Sequence, residues 1–554
     1  MMTTAPTAIA APSRGRWLIG LGIAGVAIGL ALVAALVLGG RQTPEALRYV
    51  PADAVVVAEL RLDLPGDQLQ KVGNLLAHFP GFADQSTLAG KLDEAGDRLL
   101  GMLTNGRVGY TADLKPWISG PAFVAFRDAA PSPRLGLVPP GLLVATTNGV
   151  AGCYKLFTGR ATSSESYRGL QIEVLADGRG ACVVDDRHVL AGDVGSLKAG
   201  LDAHAEGRGI DATERYRAAR EALGGEQLAT LFVSAEAAAR LEGLAGFSAT
   251  PFLLGQGALP AWSIVGIRAE DNALVLDAVS AGLPESSAAP SLTSLSPSHP
   301  SQLTRHVPLD ALVYAELQGA GTIALNGLTL LRAEPLLADG FVQLDELIEA
   351  FGGAEQLVGW VDDAAFVVLN DGGLDMVGDF VGGLLLQATD AATAEARVGA
   401  YRSLLGIAAL GGQIDLRTST LAGVEVTTVV VSDAMDGPAT GPLEVSFAVR
   451  DRLVVIGTSE GFIERALGRD GDGPLAESRY YQDAKEWRLD RARGTFYLAV
   501  ASAVHYLRLQ QPSGRFDPDV LPYVSPIKAI YMTAIDGPGP PRARIVMTVS
   551  DPKE

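Results

Sequence analysis

Along much of this chain apolar residues alternate with small or polar ones; elsewhere they recur every three or four positions. Ala54, Val56, Ala58 and Leu60 share one face of an extended segment, and Val55, Val57 and Glu59 share the other, so period two predicts a strand. Leu88, Leu92, Ala95, Leu99 and Leu103 make one helical face; Leu344, Leu347, Ile348 and Phe351 make another. Strands are predicted at 122–126 and 142–146. Hairpins are predicted at 181–191, turning near Asp185–Arg187, and at 446–456, turning near Arg450–Arg452, with a helix after each. The late pairs 263–268 with 273–279 and 529–534 with 542–549 read as meander strands. Short turns between strands favour antiparallel pairing.

The pattern occurs twice. RYVPADAVVVAEL (48–60) and RHVPLDALVYAEL (305–317) are identical at nine of thirteen positions. Further matches follow in order: Trp117-Ile118 with Trp360-Val361, Ala122-Phe123-Val124 with Ala365-Phe366-Val367, and Leu143 with Leu386. Asp186-Arg187 with Asp451-Arg452, Gly192 with Gly457, Arg215-Tyr216 with Arg479-Tyr480, and Phe232 with Phe496 continue the series. A Ser/Pro-rich stretch at 284–302 separates the halves. The expected architecture is α+β: two homologous domains, 46–283 and 303–551, each a largely antiparallel sheet with helices packed on one face.

Residues 17–40 interrupt this picture. Twenty-four residues without a charge span about 36 Å as a helix, enough for a hydrocarbon core of about 30 Å. A signal-peptide core is usually only about 7–15 residues, so the run is read as an uncleaved transmembrane anchor inserted in the lipid bilayer. Arg14 and Arg16 precede it, with no acidic residue among the first sixteen. The positive-inside rule then makes 1–16 a short cytoplasmic tail and places the bulk of the chain outside, in a single-pass cell-membrane protein. Gly25 and Gly29 have GxxxG spacing, which admits a homodimer through the anchor; small residues filling a single helix account for them equally well.

A net charge of −19 argues against nucleic-acid partners, which need clustered Lys and Arg. Candidate chemistry is sparse. Glu59 and Glu316, the twin motif's carboxylates, lie on an otherwise apolar strand face; each reads as a raised-pKa acid or base, or as the partner of an arginine at the sheet edge. Pro51, Asp53, Pro308 and Asp310 read as turn-to-strand chemistry. The glycine turns at 192–196 and 457–461 lack phosphate-loop spacing, and Asp193 and Thr458 suffice there as helix caps. Asp470-Gly471-Asp472-Gly473 begins like a calcium loop, but Pro474 and Tyr481 stand where later ligands belong. The six histidines (78, 188, 204, 299, 306, 505) form no metal-binding spacing, and no cofactor is implied. Cys153 and Cys182 map to Ala396 and Phe447, so both read as buried; they admit a disulfide or two small apolar side chains.

The V-P-A-D-A opening before a strand, D-L-K-P-W-I-S-G at 113–120 and the N-terminal anchor together resemble one bacterial family, domain of unknown function 3352. The second half departs at Gly359-Trp360-Val361, which lacks the Pro-Trp pair. The resemblance implies bacterial origin and membrane association, and supplies no activity or catalytic residue. The reading is a membrane-anchored extracytoplasmic protein, non-enzymatic, binding or scaffolding an envelope protein partner. The alternative is an extracytoplasmic hydrolase or small-ligand-binding protein with its site between the two domains.

Overall fold

The computed structural model describes residues 45–61, 67–104, 109–116, 118–128, 141–147, 161–185, 187–239, 260–282, 299, 301–333, 345, 348–349, 351–369, 381–412, 414–421, 423–431, 443–468, 473–510, 521–535 and 539–550. The expected anchor, most of the expected linker, Trp117 and most of the helical face around Leu344 lie outside them. No helix among the described residues is long and apolar enough to cross a membrane.

The described chain is mixed α+β and its twenty strands form one antiparallel sheet. From one edge the first half runs β4 (Ala161–Tyr167), β5 (Leu170–Leu175), β6 (Arg179–Val184), β7 (His188–Asp193), β3 (Gly141–Thr147) and β2 (Ile118–Phe126). It continues through β1 (Val56–Leu60), β8 (Ala229–Ser234) and β9 (Trp262–Glu270) to β10 (Ala273–Ser280). Then come β20 (Arg542–Val549), β19 (Ile527–Ile535), β18 (Gly494–Ala499), β11 (Ala311–Gln318) and β12 (Val361–Leu369). β13 (Gly382–Ala388), β17 (Leu453–Gly457), β16 (Leu443–Arg450), β15 (Val424–Val431) and β14 (Asp415–Leu421) complete the order. The second series is the first in reverse, with β20 in the place of β10 and β14 in the place of β4.

The expectation of a separate sheet in each half therefore needs correcting. β10 and β20 are the inner end strands of their halves. Left as edges, each would expose a row of unpaired backbone donors and acceptors; they pair with each other instead, from Ala273 opposite Thr548 to Val279 opposite Arg542.

Helices also cover both faces rather than one. On the first face, α3 (Val194–Ala205) and α4 (Glu214–Leu223) bury Leu197, Leu201, Tyr216 and Ala219 against Val57, Phe123, Leu142 and Phe232. On the same face of the second half, α8 (Glu460–Ala466) and α9 (Arg479–Lys485) bury Phe462, Ile463, Tyr481 and Ala484 against Tyr314, Ala365, Val367 and Leu385. On the second face, α1 (Gln68–Ala77) and α2 (Leu88–Thr104) bury Val72, Leu75, Leu88 and Leu92 across the junction, against Leu274 of β10 and Val549 of β20. There too, α7 (Ala391–Leu410) packs Ala394 and Val398 on Phe447 and Val454, while α5 (Ala320–Ala333) and α6 (Ala354–Val358) lie near β12. α10 (Val500–Gln510) lies against β19, and α11 (Leu521–Val524) leads into that strand.

The predicted hairpins are present. They turn at Asp185 and Asp451, with φ of 52° and 53°, a left-handed conformation that aspartate tolerates better than most residues. Several letter-by-letter matches between the halves slip, however. Glu59 faces Phe123 across β1–β2, whereas Glu316 faces Ala365 across β11–β12. Phe123 thus corresponds to Ala365, and both are buried; Phe366 corresponds to Val124, and both are exposed. The cause is the irregularity at the start of each strand: Ile118 to Ala122 is four steps, but Val361 to Ala364 is three. By the same pairing logic Leu143 corresponds to Leu384 rather than Leu386, Phe232 to Tyr497 and Cys182 to Ala448. Tyr216 corresponds to Tyr481, each three residues past its helix cap.

Candidate functional site

The twin motif places its proline alike in both halves and gives its aspartate an arginine partner in each. Pro51 bridges Gly209 and Pro308 bridges Pro474, fastening each first strand to the loop before α4 or α9. Asp53 accepts from Arg127 at 2.8 Å, and Asp310 pairs with Arg465. These residues hold scaffold in place.

The two glutamates diverge. Both point into the first-face core, at 2 % and 7 % exposure, which no lone carboxylate tolerates without partners. Glu59 has charged ones. Arg220 of α4 donates to its Oε2 at 2.5 Å, Thr230 donates to the same oxygen at 3.2 Å, and Arg61 stands 3.7 Å from Oε1. In α9, Lys485 occupies the place of Arg220, and it is exposed. Glu316 instead accepts from the Tyr314 hydroxyl at 2.6 Å; Oε1 of both glutamates is buried without a hydrogen bond, but that of Glu59 faces the Arg61 guanidinium. Burial pushes the Glu316 carboxyl above its usual range, and Asp363 adds to the rise; Ser301, Tyr314 and Arg488 oppose it. Around it, Tyr481 makes edge-to-face contacts with Tyr314, Tyr497 and Tyr531 at centroid distances of 6.2, 5.2 and 6.1 Å. Glu59 thus has an arginine partner, whereas burial raises the Glu316 carboxyl.

A second polar group adjoins Glu316. Gln318, two positions along β11, faces Asp363 directly across β12. Asp363 is 1 % exposed; its Oδ2 lies 2.8 Å from His299 Nε2, and its Oδ1 accepts from the Gly319 N–H at 3.3 Å. Burial raises the Asp363 carboxyl, with His299 pulling the other way. His299 is held in turn: its carbonyl accepts from Gln318 Nε2 at 2.7 Å, and its N–H donates to Gln318 Oε1 at 3.3 Å. Asp362 would ordinarily point to the opposite face. Register breaks there, because Val361 pairs with Ala388 and Asp363 with Gln387, leaving Asp362 as the extra residue of a bulge. Its carboxylate joins the other two, so that donor atoms of His299, Asp362 and Asp363 all lie within 4.8 Å of one another. They are the group among the described residues whose geometry suits a metal ion.

Sequence reasoning missed this group. His299 lies in the stretch expected to be linker, far along the chain from its partners, and no local spacing connects them. The one signal available was the doubled Asp362-Asp363 at the start of a strand, where apolar residues are the rule.

The remaining candidates resolve simply. Asp193 caps α3, accepting from Ser196 N–H at 2.9 Å, as expected. In the second half the cap is Ser459, which accepts from Phe462 N–H at 3.2 Å; Thr458 instead holds Gly382, accepting from its N–H at 3.2 Å. Cys182 is a buried thiol that burial pushes up to about 11, and Cys153 lies outside the described residues. Asp470, Gly471 and Asp472 lie outside them as well, while Gly473 turns at φ 83°.

A family model described as "Protein of unknown function (DUF3352)" matches residues 16–539. No curated protein matches the chain. Among solved structures, crystal form III of TP0453 is 10% identical over 44% of this chain and 83% of its own, with a TM-score of 0.24. Crystal form I gives 10%, 44%, 81% and 0.24. At that score the shapes agree too little to carry over a fold or a role.

Proposed function

We propose, from the premise that the chain belongs to the DUF3352 family, that it is a membrane-tethered extracytoplasmic protein of the bacterial envelope. It binds or scaffolds an envelope protein partner rather than catalysing a reaction, with residues 17–40 as the tether and two copies of one unit, 46–283 and 303–551, as the platform. The observation that supports this reading furthest is the continuous sheet. Twenty strands at about 4.8 Å spacing run roughly 90 Å before twist, and the β10–β20 pairing fixes one half against the other. A surface offered by both halves then meets its partner without the ordering cost of a flexible joint. The twin motif supports it too, since its Pro, its Asp and Glu59 are all engaged in holding scaffold together.

A second reading, capture of a small ligand, is favoured by Glu316, whose buried Oε1 has no partner. It differs from the sequence expectation in place: the group lies within the second half, while hydrogen-bonded strands occupy the junction.

Crosslinking of the full chain in intact membranes, followed by identification of the joined proteins, tests the platform reading. The expected result is the same extracytoplasmic partner with several crosslinker lengths, lost when the seam is loosened by Asp277→Ala. Recovery of no reproducible partner overturns it.

A further inference from the structure

We propose that His299, Asp362 and Asp363 form a binding site for a divalent transition metal, zinc by its donor set, beside the start of β12. One imidazole nitrogen and two carboxylate oxygens are the mixed donors zinc accepts. Three protein ligands leave a position for water.

Four observations carry the assignment. The bulge at Asp362 turns two consecutive carboxylates to one side, which a regular strand cannot do. Each carboxylate is oriented by a further partner, as metal-bound carboxylates are: Arg452 Nη2 lies 3.2 Å from Asp362 Oδ2, and the Gly319 N–H reaches Asp363 Oδ1. His299 is fixed through its own backbone by Gln318, so its ring is positioned before any ion arrives. The fourth lies beside the trio. Glu316 shares the strand face of Asp363 one diagonal step away and is 7 % exposed, so a third carboxyl is buried beside the trio.

The site is closed on one side and open on the other. The Asp363 side chain is 1 % exposed, whereas those of Asp362 and His299 are 36 % and 42 % exposed, so an ion enters from solvent. His299 Nε2 and Asp363 Oδ2 now share a hydrogen bond. Zinc would take the place of that hydrogen bond, with the imidazole neutral and the carboxylate ionised. The consequence is structural. Metal would fasten residue 299 to β12, whether or not the platform reading holds.

The test is calorimetric titration of the untagged full chain in detergent with zinc, magnesium and calcium ions, with bound metal counted by mass spectrometry. Asp362→Asn and His299→Gln are the variants. Both positions are partly exposed, and their thermal midpoints without metal report that they fold. The expected result is one zinc per chain and a raised thermal midpoint. Each variant should weaken zinc at least about tenfold, and magnesium and calcium should bind far more weakly. Zinc affinity unchanged in both variants, or no stoichiometric zinc at all, overturns the proposal.

Discussion

Asp277 and Arg544 face each other across the pairing of β10 with β20, and the arginine Nε donates to Asp277 Oδ1 at 2.6 Å. Arg268 of β9 pairs with the other oxygen. One carboxylate thus neutralises a guanidinium from each half at the only strand pairing between them among the described residues. Trp487 closes over the same place, packed on Ala273, Val275 and Val546, and its carbonyl accepts from Arg544 at 3.4 Å.

Asp277→Ala should therefore be costly for a single substitution. It removes the carboxylate from Arg544 and leaves Arg268 with Glu270 alone, the two arginine side chains being 23 % and 17 % exposed. The expected loss is about 3–5 kcal/mol, the range for removing one partner of a buried ion pair. Denaturant unfolding of the full chain in detergent measures it. A loss below about 0.5 kcal/mol, typical of a free surface position, contradicts the seam.

The divergence of Glu59 and Glu316 gives opposite expectations for the same substitution. Glu59→Gln removes the counter-charge of Arg220 and Arg61 and should cost about 3 kcal/mol. Glu316→Gln replaces a carboxyl that burial already drives toward its neutral form, and should cost below about 1 kcal/mol. Equal losses in chemical denaturation would refute the distinction.

pH separates them further. The folded values of Glu316 and Asp363 are raised above 4.5 and 3.8, so the folded state holds more protons than the unfolded one. Their contribution is fully present below those ordinary values and is lost as pH rises through the raised ones. Stability of Glu316→Gln should fall less than wild type as pH rises from 4.5. An unchanged slope would show that Glu316 does not titrate in this window.

Cys182 sits at the position of Ala448, in the first-face core. If Cys153 bonds it after export, denatured, non-reduced protein from the native compartment should show no free thiol. Two free thiols there would mean that Cys182 serves as a small apolar side chain.

The strands, the hairpin turns and the twin motif were legible because each is a local pattern. Which face a residue occupies was less so. Phe123 and Phe366 share a letter, yet one is 0 % and the other 39 % exposed, because the strand-start irregularities differ in length by one residue. A one-residue slip exchanges the two faces of a strand. The single sheet was not legible at all, since nothing in Val275 or Val546 announces that two end strands will find each other. The group at His299 depends on the same long-range register, and on a bulge that the letters Asp362-Asp363 only hint at.

A platform outside the membrane, held by residues 17–40, is open to a protease-accessibility test. Cells expressing the full chain with a different epitope at each terminus are converted to spheroplasts and treated with protease before and after permeabilisation. The C-terminal epitope should disappear from intact spheroplasts while the N-terminal one survives until the membrane is opened. Survival of the C-terminal epitope in intact spheroplasts, with loss only after permeabilisation, would contradict it.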